Sequence, residues 1–202
     1  MEEQITSLKQ IAENLMQIKG NIRGEVFRTH EIYIRLKEGE KGVIEVEEKM
    51  VELGCPLKFK EIRALDWYPE ALSVLAILVA KELFGWNEQD IYEMGNQAPK
   101  YSLIVRLVMK YFFSIRKAVE ESPGYWVKHY DFGELEVAEF DEEKRQVILR
   151  IKGYKFHPLI CSYHRGYFTR ITQLASGSNN VTTEEVRCMF KGDPYHEYQI
   201  RY

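Results

Sequence analysis

The sequence predicts an α+β protein in which a helical N-terminal half packs on a C-terminal antiparallel sheet subdomain of order β-β-α-β-β. Up to residue 121, apolar side chains recur at spacings of three and four, the period of a helix with one buried face. Beyond Ser122-Pro123-Gly124 they alternate in twos, the period of a strand, with one further helical stretch between two pairs of strands. The 202 residues are 45% hydrophobic and 29% charged, enough apolar material for one substantial core or two small subdomains. The expected division is an N-terminal helix over residues 1–22, a helical subdomain over 23–124 and an α/β subdomain over 125–202.

In the first stretch Ile5, Leu8, Ile11, Leu15 and Ile18 form one stripe, and Gly20 is a natural stop. The stripe needs a partner, either the rest of the chain or a second copy in a homodimer. A short extended piece from Gly24 leads into helices, of which residues 40–53 carry Val43, Val46, Met50 and Leu53 and end at Gly54. Asp66-Trp67-Tyr68-Pro69 reads as a helix start, since proline is tolerated in a first turn, and residues 70–84 are apolar almost all round, as a central helix would be. A short segment at 88–94 precedes Gly95, and residues 98–121 read as one long helix. After the aromatic connection at 125–130, Leu135, Val137 and Phe140 face Val147, Leu149 and Ile151 across a turn at 141–144. A helix from 159, a polar loop at 176–180 and two strands complete the chain.

Composition excludes several function classes. A formal charge of −3 without a basic block gives no general attraction to nucleic acid. The longest apolar run, residues 71–80, is about half of what a membrane-spanning helix requires. Three widely spaced cysteines after an acidic N-terminus fit a reducing cytoplasm. G-x-S-x-G, Walker-type, G-x-G-x-x-G and H-E-x-x-H motifs are lacking, so no catalytic residue is assigned.

One donor set stands out. Cys161 opens the last helix, while Glu185, Cys188 and His196 lie on the final two strands, joined by Lys191-Gly192-Asp193-Pro194. Two thiolates, an imidazole and a carboxylate make a closed shell for a structural zinc ion; the plainer alternative is two ordinary buried cysteines beside surface polar residues. Strand parity places Glu185 and Cys188 on opposite faces, so Glu185 needs a bulge to reach the set, and Glu184 is its substitute.

The same residues carry a family resemblance. Cys161, Gly166-Tyr167, Glu185 to Cys188, and Gly192-Asp193-Pro194-Tyr195-His196-Glu197-Tyr198 make residues 157–202 resemble the 4-vinyl-reductase domain family. In the related aromatic-sensing domains of phenol-responsive activators, the corresponding Cys, Glu, Cys and Cys bind structural zinc; this chain has His196 at the last position. Trp67-Tyr68-Pro69 and residues 130–137 are more loosely similar to haem-nitric-oxide-binding-like bacterial proteins. His129, His157 and His164 are the histidines that could be proposed as axial ligands. The Tyr-x-Ser-x-Arg motif that holds the porphyrin carboxylates in that family is missing, so haem is not expected.

These resemblances imply a zinc-stabilised sensor domain for a small apolar or aromatic molecule, dimeric, passing its signal to a downstream protein. Aromatic character and position suggest Trp67, Tyr101, Phe112, Trp126 and Tyr130 as cavity walls. The alternatives are an assembly or tethering subunit, a haem-binding gas sensor and, with least support, a reductase.

Overall fold

The computed structural model describes residues 7–109 and 114–202, and the chain is an α+β protein. It forms two compact units, Met1–Trp86 and Asn87–Tyr202, a division that falls at neither residue 22 nor residue 124. Among the described residues no helix is long and apolar enough to cross a membrane.

In the first unit, α1 (Leu8–Met16) begins where the Ser7 hydroxyl accepts the Gln10 N–H. It lies against α3, and Ala12 and Leu15 are buried, so part of the apolar stripe is covered by its own chain; Ile5 is outside the described residues. Strand β1 (Asn21–Arg23) pairs with β2 (Trp67–Pro69). Between them α2 (Glu25–Glu52) bends at Gly39, whose φ of 76° is cheap only for glycine. Arg35 bridges that bend, reaching Glu31 at 2.7 Å and Glu40 at 2.6 Å. Helix α3 (Glu70–Phe84) is the core of the unit: Val74 through Val79 are all buried, as its uniform apolarity predicts, and Gly85 ends it in the left-handed conformation.

In the second unit the sequence expectation differs from the structure at three places. Gly95 does not end a helix; α4 (Glu88–Tyr101) runs through it from an Asn87–Asp90 capping box. A Cβ on Gly95 would collide with the carbonyl oxygen of Tyr163, and one on Gly166 with that of Tyr92. These glycines are there to let α4 and α7 (Leu159–Ser176) approach closely. Asn96 seals the contact, donating to the Gly166 carbonyl at 3.3 Å and receiving Arg170 at 2.6 Å.

The long helix expected over 98–121 is broken. Ser102 has an extended ψ of 119°, and its hydroxyl accepts the Val105 N–H at the start of α5 (Leu103–Met109). Helix α6 (Ile115–His129) then continues through Pro123, where a strand-side boundary was expected. The proline leaves the Val119 carbonyl without its helical N–H, and the Ser122 hydroxyl donates to that carbonyl at 2.8 Å.

The sheet follows the expected β-β-α-β-β order. Strands β3 (Glu134–Asp141), β4 (Gln146–Lys152), β5 (Thr182–Arg187) and β6 (His196–Arg201) lie in the antiparallel order β3-β4-β6-β5. Leu135 pairs with Ile151, Val137 with Leu149 and Phe140 with Val147. Leu149, Ile151, Tyr198 and Ile200 are buried, and α7 contacts β5 and β6.

Candidate functional site

The helix α7 and the β5–β6 ribbon bring Cys161, Glu185, Cys188 and His196 together, with their ligand atoms all within 4.8 Å of one another. Cys161, in the first turn of α7, places Sγ 3.8 Å from Cys188 Sγ and 3.8 Å from His196 Nδ1. Glu185 Oε1 lies 2.8 Å from the same Nδ1. The parity conflict at Glu185 is resolved by a register shift between Glu185 and Arg187, which turns the Glu185 side chain to the Cys188 side; Glu184 stays exposed. The tight turn Met189–Lys191 is held by Asp193, whose carboxylate accepts the Cys188 N–H at 2.9 Å. Gly192, with φ of 98°, lets the chain reverse there.

Without a cation, this pocket tolerates one negative charge and resists a second. Burial pushes the Cys161 thiol up, and the neighbouring Glu185 carboxylate and Cys188 add to that. Burial also works against ionisation of Glu185, but hydrogen bonding to His196 and the two thiols outweighs it and holds the carboxyl below its ordinary value. A bound metal ion reverses the balance at the thiols, because a coordinating thiol is deprotonated.

Beside this cluster lies an aromatic core that sequence reading did not connect to it. Its centre is Tyr154, fully buried after Gly153, with ring centroids of His164 at 4.9 Å, Phe132 at 5.3 Å, Phe156 at 5.4 Å, and Trp126 and Tyr130 at 6.1 Å. Trp126 stacks on Tyr130 at 4.0 Å and donates its indole N–H to the Phe132 carbonyl at 3.1 Å. No local pattern marks Tyr154; only an aromatic residue after a strand-ending glycine hinted at it.

Of the five wall residues expected from sequence, Trp126 and Tyr130 come together here. Trp67 belongs to the first unit, on β2, with the Arg23 guanidinium 3.8 Å over its ring. Tyr101 ends α4 half-buried, and Phe112 lies outside the described residues. Trp126 is only 6% exposed, so Trp126→Ala should cost about 3 to 5 kcal/mol of folding free energy in urea denaturation; a loss below about 1 kcal/mol would mark it as an exposed wall instead.

The histidines divide by what their nitrogens do. His196 belongs to the cluster, His157 accepts the Leu159 N–H, and His129 Nδ1 faces the Tyr125 carbonyl in its own helix. His164 is buried among Trp126, Tyr154, Tyr163, Phe168 and Tyr198, and its Nε2 has no hydrogen-bond partner among the described residues. Burial, with a smaller contribution from His196, lowers its pKa to about 3, so the ring is neutral and keeps a lone pair. Burial lowers His30, in the first unit, to about 3 as well.

Both folded values lie below the unfolded 6.5, so between pH 6.5 and 3 the unfolded chain binds more protons and stability falls as acid is added. At pH 5 each ring should have cost about 2 kcal/mol relative to pH 7. Urea denaturation at both pH values should show a shallower pH slope for His30→Gln than for the parent; equal slopes would refute the assignment.

No protein-family model matches the sequence, and no curated protein does. Solved structures do match. An H-NOX protein from S. oneidensis in the Fe(II)NO ligation state aligns over 89% of this chain and 98% of its own, with TM-score 0.67 and 14% identity. The fold is that of the H-NOX domains. A structure from work on haem distortion in the H-NOX family covers 90% of this chain and 95% of its own, with TM-score 0.64 and 15% identity. An oxygen-binding H-NOX domain related to soluble guanylate cyclases, in its oxygen complex, covers 89% and 94%, with TM-score 0.62 and 13% identity.

This H-NOX likeness corrects the cofactor expectation. Haem, set aside from sequence, is the group that the fold implies, and structural zinc finds no support in these neighbours. The fold is kept at 13 to 15% identity although the Tyr-x-Ser-x-Arg motif is absent from this sequence. The orphaned Nε2 of His164, in a neutral and enclosed imidazole, fits an iron ligand.

Proposed function

We propose that this chain is a small-molecule sensor domain of H-NOX fold, with haem as the group that carries the ligand. The observation that carries the reading is the extent of the fold match, 89% of this chain on 98% of an H-NOX protein. His164 would hold the iron through Nε2, and haem so bound supplies a coordination site for a diatomic gas. The chain's own part is to keep that imidazole neutral by burial and to steady it from Nδ1, which lies 3.5 Å from the Tyr198 hydroxyl. The surrounding rings exclude water from the donor.

Haem reconstitution tests this. The full chain should take up one haem with a sharp Soret band that moves on addition of nitric oxide, and His164→Ala should lose or shift that band. A wild-type chain that binds no stoichiometric haem would overturn the reading.

A second reading, direct binding of an apolar or aromatic molecule, is favoured by the stacked Trp126–Tyr130 pair at the aromatic core. Native mass spectrometry distinguishes the two by the mass retained. The four-donor cluster is a separate matter. We infer that Cys161, Glu185, Cys188 and His196 hold a metal ion in a closed, structural shell, as the motif resemblance to 4-vinyl-reductase domains implies and as the convergence of the donors supports.

A further inference from the structure

His196 does two things at once. Its ring is fully buried, Nδ1 faces Glu185 and Cys161, and Nε2 lies 2.9 Å from the carbonyl oxygen of Tyr154. A carbonyl only accepts, so Nε2 carries a hydrogen toward Tyr154, and Nδ1 is the nitrogen turned to the cluster, where it donates to the Glu185 carboxylate in the absence of metal and would give up that hydrogen to coordinate an ion. A metal ligand whose second nitrogen donates to a backbone carbonyl has its ring orientation set from both ends.

The carbonyl it holds is not an arbitrary one. Tyr154 is the residue whose ring meets His164, Phe132, Phe156, Trp126 and Tyr130. A cysteine at 196 would offer the cluster a thiolate but could give Tyr154 no N–H, leaving a buried carbonyl without this donor.

We propose that His196 is a positioning residue that couples the four-donor cluster to the aromatic core, so that occupancy of the cluster sets the order of Trp126 and its neighbours. The proposal rests on the metal reading for its input. Its output is a specific atom, the Trp126 indole N–H, which donates to Phe132 inside the core.

The chain has three tryptophans, so the indole N–H signals of the full-length protein are few, and Trp126→Phe assigns the relevant one. Metal is counted by elemental analysis on the same samples. Metal-loaded His196→Cys should keep one metal per chain, yet its Trp126 indole signal should shift, broaden and exchange faster with solvent than in the parent. In the parent, chelation should move the same signal and reloading should restore it, which keeps the test open if His196→Cys does not fold. An unmoved Trp126 signal in metal-bearing His196→Cys, or in chelated parent that stays folded by circular dichroism, overturns the coupling alone. A parent that holds no metal overturns the metal reading, and the coupling with it.

Discussion

Cys188→Ser is expected to abolish metal binding at the proposed four-donor site and to lower the thermal unfolding midpoint by on the order of 10 °C. Cys188 is 5% exposed at the end of β5, its N–H fixed by Asp193 and its Sγ 3.8 Å from Cys161. A serine oxygen is a harder donor, poorly suited to a site built from thiols and imidazole. Losing the ion would leave the Glu185 carboxylate facing the buried Cys161 thiol and the new hydroxyl without a cation. In a protein of this size about 1 kcal/mol corresponds to roughly 2 to 4 °C, so an isolated thiol-to-hydroxyl change gives only a small shift and loss of a ligand a large one. Calorimetry before and after chelation separates them: the serine variant should melt with the chelated parent. Equal destabilisation by the substitution in loaded and stripped protein would sink the metal centre.

Gly166→Ala should be of comparable severity and for a different reason. The added methyl would be driven into the Tyr92 carbonyl at the tightest contact of α4 and α7, with backbone on the other side and no flexible side chain to give way. Overpacking of this kind costs about 1 to 3 kcal/mol or more. The shift would also strain the bonds that Asn96 makes with Gly166 and Arg170. Gly124→Ala in α6 is the control, because nothing lies within 4 Å of its Cβ position; it should be neutral or stabilising by up to about 1 kcal/mol. Urea denaturation of both variants decides, and similar midpoints for the two would refute the packing role of Gly166.

The sequence by itself determined the fold class, the β-β-α-β-β order, the strand partners of Leu135, Val137 and Phe140, and the buried run of helix α3 from Val74 to Val79. These follow from periodicity, which is a property of neighbouring residues. It also named the four donors that converge, although it could not choose Glu185 over Glu184, because that choice is made by a bulge whose register depends on the partner strand.

Tertiary structure decided the rest. Gly95 reads as a stop until α7 is laid against it, and Pro123 reads as a boundary until the Ser122 hydroxyl takes up the carbonyl that the ring abandons. Tyr154 looks like any aromatic residue until its carbonyl meets His196. The likeness to H-NOX domains is of the same kind: at about 14% identity the side chains have diverged while the path of the backbone has not. A residue's role in each case is set by a partner distant along the chain, and one-dimensional spacing carries no record of that partner.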